Sequence, residues 1–233
     1  MLTFQLGDRG KGRLQVLCLG AHSDDIEIGC GGTILQLLKS DRNITVYWVV
    51  LSANSKRKKE AAESANALLT QAGKKHVVIE DFRDGYFPYV GAGIKEYFET
   101  LKNEFSPDLI FTPCRNDLHQ DHRLVSELTW NTYRNHVILE YEIPKYDGDL
   151  GSPNVYVHLD EEICKRKTRH ILHHFKTQAD NHWFAEETFL SVARLRGIES
   201  NAPSKYAEAF YGRKVVVRRE QSERSKRNPR KAG

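Results

Sequence analysis

Short, nearly continuous apolar runs along this chain alternate with longer stretches in which apolar residues return every three or four positions. The run Val16-Leu17-Cys18-Leu19 predicts a strand over Leu14–Leu19, and Ile44–Leu51, Val77-Val78-Ile79 and Leu109–Thr112 read the same way. Runs without polar alternation are what strands buried on both faces of a parallel sheet require. Between them, Ile34, Leu35, Leu37 and Leu38 mark a helix that Gly29-Cys30-Gly31-Gly32 opens. Lys56–Ala72 is a second helix, with Ala61, Ala65, Leu68 and Leu69 on one face and Gly73 as its stop. Ile94, Tyr97, Phe98 and Leu101 follow the spacing of a half-buried helix that Ser106-Pro107 ends, and Leu124–Arg134 is a fourth. The rhythm predicts an α/β fold: a Rossmann-like, mostly parallel sheet with helices on both faces, in a single domain. The last third is less regular. Ile138–Ile143 and Val155–Leu159 read as strands around a loop at Lys145–Pro153, Glu161–Phe175 and Glu186–Arg196 as helices, and Arg213–Val217 as an edge strand.

Composition narrows this picture without changing it. The 233 residues suffice for one substantial α/β core, read as a domain over residues 1–217. The net charge of +4 is unevenly placed: residues 218–233 hold seven basic and two acidic side chains, a balance of +5, so the body is near −1. That basic segment has the composition of a solvated, disordered tail, and no nucleic-acid partner is expected. No apolar run approaches the roughly 20 residues of a membrane helix, and the first residues lack the pattern of a secretory leader. Cys18, Cys30, Cys114 and Cys164 show no CxxC spacing and read as reduced, packed thiols of a cytoplasmic protein. A homo-oligomer is left open.

The chemistry concentrates in two polar clusters, Ala21-His22-Ser23-Asp24-Asp25-Ile26-Glu27 and Asp117-Leu118-His119-Gln120-Asp121-His122. Each follows a predicted parallel strand, so both are expected at the carboxyl edge of the sheet, where α/β folds bind ligands. His22 and Asp25 are three apart on a turn into a helix, a spacing at which two side chains can share a metal. His122 is the best third ligand, and a His₂Asp set leaves the open position of a catalytic zinc site. Asp24 is then the spare carboxylate that serves as general base, and His119 the group that stabilises an oxyanion or protonates a leaving amine. Asp121 and Glu27 are candidate partners that orient an imidazole. Plainer readings compete: Asp24 or Asp25 could only cap a helix. Gly29–Gly32 lacks the spacing of a phosphate-binding loop. His170, His173 and His174 read as a polar helix face.

Ala21–Thr33 resembles the first signature of the LmbE-like, or PIG-L type, zinc-dependent N-deacetylases, His-Pro-Asp-Asp followed by a glycine pair; His119-Gln120-Asp121-His122 resembles the second, His-x-Asp-His. Gln178, Ala193-Arg194-Leu195-Arg196-Gly197 and Tyr206-Ala207-Glu208-Ala209-Phe210 are similar to later family features, which extends the resemblance over roughly Leu14–Val217. It implies removal of an N-acetyl group from an N-acetylglucosamine-type sugar conjugate, a small-molecule partner, by a protein holding Zn2+, with Fe2+ as the other metal the site admits. Carried over to matching positions, it implies that His22, Asp25 and His122 hold the metal, that Asp24 is the base, that His119 polarises the carbonyl or protonates the amine, and that Arg57 and Asp84 bind the sugar. Ser23 stands where the family has Pro, and Asp117 where some relatives have an aromatic donor; Tyr206 is a candidate to supply that donor. Hydrolysis of another amide or carbamoyl group, or a non-catalytic sugar- or nucleotide-binding module, are the alternatives. Phe82–Val90 and Lys145–Asn154 are the expected selectors of the group attached to the sugar, with Tyr86, Phe87, Tyr89 and Tyr146 available for stacking.

Overall fold

The structure, a computed structural model, describes residues 13–41 and 43–216. Strands β1 (Leu14–Gly20), β2 (Ile44–Val50), β3 (Lys74–Ile79), β4 (Leu109–Pro113) and β5 (Val137–Tyr141) pair in parallel. Strands β6 (Val155–Leu159) and β7 (Tyr206–Gly212) complete the sheet antiparallel, in the order β3-β2-β1-β4-β5-β7-β6. Among the described residues six α-helices cover it: α1 (Asp25–Ser40), α2 (Ser55–Leu68), α3 (Gly91–Glu104), α4 (Gln120–Thr132), α5 (Glu161–His174) and α6 (Glu186–Glu199). Among the described residues no helix is long and apolar enough to cross a membrane. Residues 218–233, read above as a basic tail, lie outside the described residues.

The unbroken apolar runs are explained by two cores. Successive side chains of a strand point to opposite faces. Val16 and Cys18 of β1 join Val46 and Trp48 of β2 under Ile34 and Leu35 of α1 and Ile171 of α5. Leu17 and Leu19 join Val49 under Ile94 and Phe98 of α3 and Val125 of α4. Strands β1 and β4 lie side by side while their outward connections run in opposite directions, so a crevice opens at their carboxyl ends. Both polar clusters sit there.

Two expectations need correction. The glycine run does not open α1; the helix starts at Asp25 and carries Gly29, Gly31 and Gly32 inside it. A Cβ on Gly29 would lie 2.1 Å from Cδ2 of Tyr141, and one on Gly32 would lie 2.6 Å from Cδ1 of Leu159 and 2.8 Å from Oε1 of Glu208. The glycines therefore let side chains of β5, β6 and β7 rest on the helix backbone. Glu208 accepts from Gly32 N at 2.8 Å, Thr33 N at 2.6 Å and Lys167 Nζ at 2.6 Å, and Lys167 also donates to Ile28 O at 2.6 Å. The second correction concerns the last strand. Residues 213–216 are not in a strand, and Val217 lies outside the described residues; the strand is Tyr206–Gly212. A glutamate in the middle of Tyr-Ala-Glu-Ala-Phe masks a buried strand, because nothing in the pattern announces that its carboxylate has three donors waiting.

Candidate metal centre

His22 leaves β1 by two residues, and its backbone N–H donates to Asp25 Oδ2 at 2.8 Å, which fixes the turn into α1. From the second cluster, His119 is the N-cap of α4 and His122 lies in its first turn. His22 Nδ1 is 3.1 Å from His122 Nε2, His122 Nε2 is 3.3 Å from Asp25 Oδ2, and His22 Nδ1 is 3.6 Å from Asp25 Oδ2. Ligands at about 2.0–2.1 Å around a tetrahedral cation are about 3.3 Å apart, so these three atoms form one face of such a polyhedron.

The surroundings agree with that fit. His22 Nε2 is 3.3 Å from Asp121 Oδ2 and 3.1 Å from Asp84 Oδ1, while His122 Nδ1 is 2.8 Å from Asp117 Oδ2. Each imidazole thus turns one nitrogen to the centre and the other to a carboxylate, as metal-ligating histidines do. Asp121 is itself held by Gly85 N at 2.7 Å and Phe87 N at 3.1 Å. Gly85 is at φ +75°, the left-handed region that glycine adopts without strain. Burial alone would lower the pKa of His22, but its hydrogen bonds to the Asp121 and Asp25 carboxylates overcome it and raise it well above the usual value. His122 follows the same logic: burial opposes, Asp25 and Asp117 win, and its pKa is pushed up to about 9. The carboxylates are arranged around a positive charge, and imidazole nitrogens with carboxylate oxygens suit Zn2+ or Fe2+.

Asp24 is not spent on capping. It stands at the N-cap of α1 yet makes no side-chain capping bond. Its Oδ1 accepts from Arg57 Nη2 at 2.7 Å. Burial raises its pKa and the Arg57 guanidinium opposes the rise. Arg57 reaches it because Asn54 accepts from Arg57 N at 3.1 Å and so starts α2 beside the site. His119 differs from its neighbours. Its Nδ1 accepts from Asp121 N at 3.2 Å, which leaves the hydrogen on Nε2. Burial first, then the imidazoles of His22 and His122, lower its pKa, so it is a neutral N–H donor. His119 also lies close enough to His22 and His122 to be grouped with them as a donor set. The separations among His22, Asp25 and His122, and this tautomer, favour Asp25 as the third ligand.

Asp24, Asp25, His22, His119, His122, Arg57 and Asp84 all line one open cavity of about 230 Å³, whose other walls include Ile143, Lys145, Tyr146, Asp147, Gln178 and Trp183. Asp121 does not line it, and its Oδ2 lies 3.3 Å from His22 Nε2. Five further positions read from sequence do not line it: Glu27, Tyr86, Phe87, Tyr89 and Tyr206, of which Tyr86 and Tyr89 are exposed. Glu27 points to α2, where Ser64 Oγ donates to it and is 2.8 Å from His170 Nε2; burial pushes the Glu27 carboxyl up to about 8. Tyr206 packs into the core at the start of β7. Phe87 is fully buried, 6.1 Å from the His22 ring, and is not free to stack on a ligand. The α5 histidines are a polar helix face, with His170 tied to Ser64 and His174 Nδ1 2.9 Å from His170 O. The four cysteines are free and buried. Sequence reasoning missed Asp117 as the partner of His122, and missed Trp183. The one available signal was that a ligating histidine needs a carboxylate behind it, and Asp117 is five residues upstream.

Comparison with known proteins gives a consistent picture. The family described as PIG-L, GlcNAc-PI de-N-acetylase, matches residues 17–133. A diacetylchitobiose deacetylase of Thermococcus kodakarensis is 29% identical over 140 residues, 52% of this chain and 50% of that protein. The chain thus spans about half the length of the curated relative it matches. The solved N,N'-diacetylchitobiose deacetylase of Pyrococcus horikoshii superposes with a TM-score of 0.65 at 26% identity, covering 89% of this chain and 86% of that one. A 4-carboxy-2-hydroxymuconate hydratase of Pseudomonas putida has a TM-score of 0.69 at 17% identity, covering 90% and 100%, and shares the fold alone.

Proposed function

The chain belongs to the PIG-L family, and from that premise we propose that it is a metal-dependent hydrolase that removes the N-acetyl group from an N-acetylglucosamine-type sugar conjugate. One observation carries the reading: three donor atoms at 3.1, 3.3 and 3.6 Å from one another, beside a fourth group, the buried Asp24 carboxylate, which makes no capping bond. A pure binding module has no use for that fourth group.

His22 Nδ1, His122 Nε2 and Asp25 Oδ2 would hold the cation, Zn2+ or Fe2+. When bound, it supplies Lewis-acid polarisation of the acetyl carbonyl and acidifies water. Asp24 takes the proton of the attacking water, and its raised pKa makes it a stronger base than an exposed carboxylate. Arg57 holds Oδ1 and thereby keeps Asp24 ionised against its burial. His119, neutral with its hydrogen on Nε2, donates to the oxygen that gains charge as the carbonyl is attacked. Asp24, once protonated, passes its proton to the departing sugar amine. Asp84, whose side chain is 62% exposed, and Arg57 present polar groups to the sugar hydroxyls. The Gln178–Trp183 and Lys145–Asp147 walls meet the remainder of the substrate.

The test is acetate release by metal-loaded protein from a panel of N-acetylglucosamine conjugates, with Asp24→Asn as control. Asp24→Asn is expected to keep its metal and to lose about 10²–10⁴-fold in kcat. Full activity in Asp24→Asn removes the base from the scheme. No acetate from protein that holds one metal ion transfers the chemistry to another acyl or carbamoyl group.

A further inference from the structure

The loop after β5 is bolted to the metal centre through charges that the scheme above does not use. Lys145 Nζ is 2.9 Å from Asp117 Oδ2, the same oxygen that lies 2.8 Å from His122 Nδ1. It is also 2.8 Å from Asp149 Oδ1 and 2.6 Å from Asp149 Oδ2. Asp149 Oδ2 in turn accepts from Leu118 N at 2.7 Å, the residue following Asp117. All three charged side chains are nearly out of water, at 10% exposure for Lys145, 3% for Asp117 and 7% for Asp149. Burial would lower the Lys145 ammonium; Asp149 and Asp117 together hold it above its usual value, so it stays charged. The two residues that follow, Tyr146 and Asp147, form part of the cavity wall.

From this geometry we infer that Lys145 is a positioning residue, which through Asp117 makes the wall loop 143–150 and the metal ligand His122 one mechanical unit. His119 N donates to Asp117 Oδ1 at 2.8 Å, and Lys145 holds the other oxygen, Oδ2, which is the one that orients His122. Lys145 can do so only while Asp149 keeps the loop folded against Leu118. The metal and the loop therefore stabilise each other, and by linkage the effect is reciprocal. A group that orders Tyr146 and Asp147 tightens the metal, and a bound metal orders the loop. On the deacetylase reading that group is the substrate, so metal retention and substrate engagement are coupled.

The decisive measurements need no substrate, so they fail independently of the deacetylase reading. Zinc affinity is measured by competition with a chromogenic chelator in wild type, Lys145→Met and Asp149→Ala. Backbone hydrogen exchange of residues 143–150 is followed by mass spectrometry with and without zinc. Lys145→Met is expected to weaken zinc about 10–100-fold, the range for losing an outer partner of a ligand. Zinc is expected to slow exchange of 143–150 in wild type and to leave it unchanged in Lys145→Met. Asp149→Ala, which keeps the Lys145–Asp117 pair, is expected to lose the zinc effect on the loop as well, and it carries the test if Lys145→Met does not fold. A folded Lys145→Met with wild-type zinc affinity overturns the inference, as does a loop whose exchange ignores zinc in the wild type. With substrate in hand, a KM that rises more than kcat falls in Asp149→Ala supports the coupling; a fall in kcat alone counts against it.

Discussion

Three glycines within four residues of one helix should respond in opposite ways to the same substitution. Alanine in a helix interior is favoured over glycine by roughly 0.5–1 kcal/mol, so each replacement starts with a gain. At Gly31 nothing opposes it: the nearest atom to a new Cβ is Leu68 Cδ1 at 3.6 Å, ordinary contact. At Gly29 the new Cβ falls 2.1, 2.4 and 2.8 Å from three carbons of the Tyr141 ring. That ring is fully buried and its hydroxyl donates to Leu19 O at 2.6 Å, so it cannot swing aside without breaking the bond. Overpacking costs about 1–3 kcal/mol and the lost hydrogen bond about 1 kcal/mol, which leaves Gly29→Ala less stable by about 1–3.5 kcal/mol after the helix gain. Gly32→Ala meets Leu159 and the pinned Glu208 carboxylate and belongs with Gly29. At about 2–4 °C per kcal/mol for a chain of this size, Gly29→Ala should melt about 2–14 °C lower and Gly31→Ala up to about 4 °C higher. Urea and thermal unfolding of the metal-free proteins measure both. If Gly31→Ala loses as much as Gly29→Ala, the glycines serve something other than close approach, and the argument fails.

Other expectations are independent of this one. Glu27 has a folded pKa of about 8 against 4.5 for the free side chain, so between these values the unfolded chain has released a proton that the folded one keeps. Its contribution is complete below pH 4.5 and is lost as pH rises to about 8, at about 1.4 kcal/mol per pH unit. Glu27→Gln should therefore gain on wild type steadily over that window in the same metal state; parallel stability curves refute the burial argument. Lys167→Met leaves Glu208 buried without its cation and should cost about 3–5 kcal/mol, while Lys167→Met with Glu208→Gln should recover much of it; additive losses in chemical denaturation would disprove the pairing. Chelation of the metal should abolish turnover and lower the melting temperature together, and unaltered melting would mean that the centre holds no ion in solution.

The parallel half of the sheet was readable because β1, β2 and β4 are buried on both faces and display that as unbroken apolar runs. The candidate metal ligands were readable because their chemistry is compressed into two short segments after two such strands. What escaped depended on partners distant in sequence. Glu208 looks like a surface residue until Gly32, Thr33 and Lys167 converge on it. Asp117 looks like a loop aspartate until α4 turns His122 back towards it. The glycine run reads as the start of a helix because glycine is disfavoured inside one, whereas here it lies within α1 and marks the approach of Tyr141 and Glu208 to the helix. Arg57 in a run of lysines could not be told from a solvated face, and only the start of α2 beside Asp24 distinguishes it.

The grip of Glu208 on α1 has a consequence for how such a chain can be cut or changed. Every residue assigned to the reaction precedes Arg123, yet the helix that carries Asp24 and Asp25 is clasped from behind by a strand more than eighty residues further on. A fragment ending near residue 133 would keep the candidate ligands and the base but lose Lys145, the cavity walls and the clasp, exposing a glycine-lined helix face with nothing to cover it. The late third of the chain is thus both the scaffold's fastener and the source of the wall at Lys145–Asp147 and Gln178–Trp183. Changes in those wall segments can retune what enters the cavity while the fastener in β7 stays fixed, which separates the freedom to diversify from the obligation to fold.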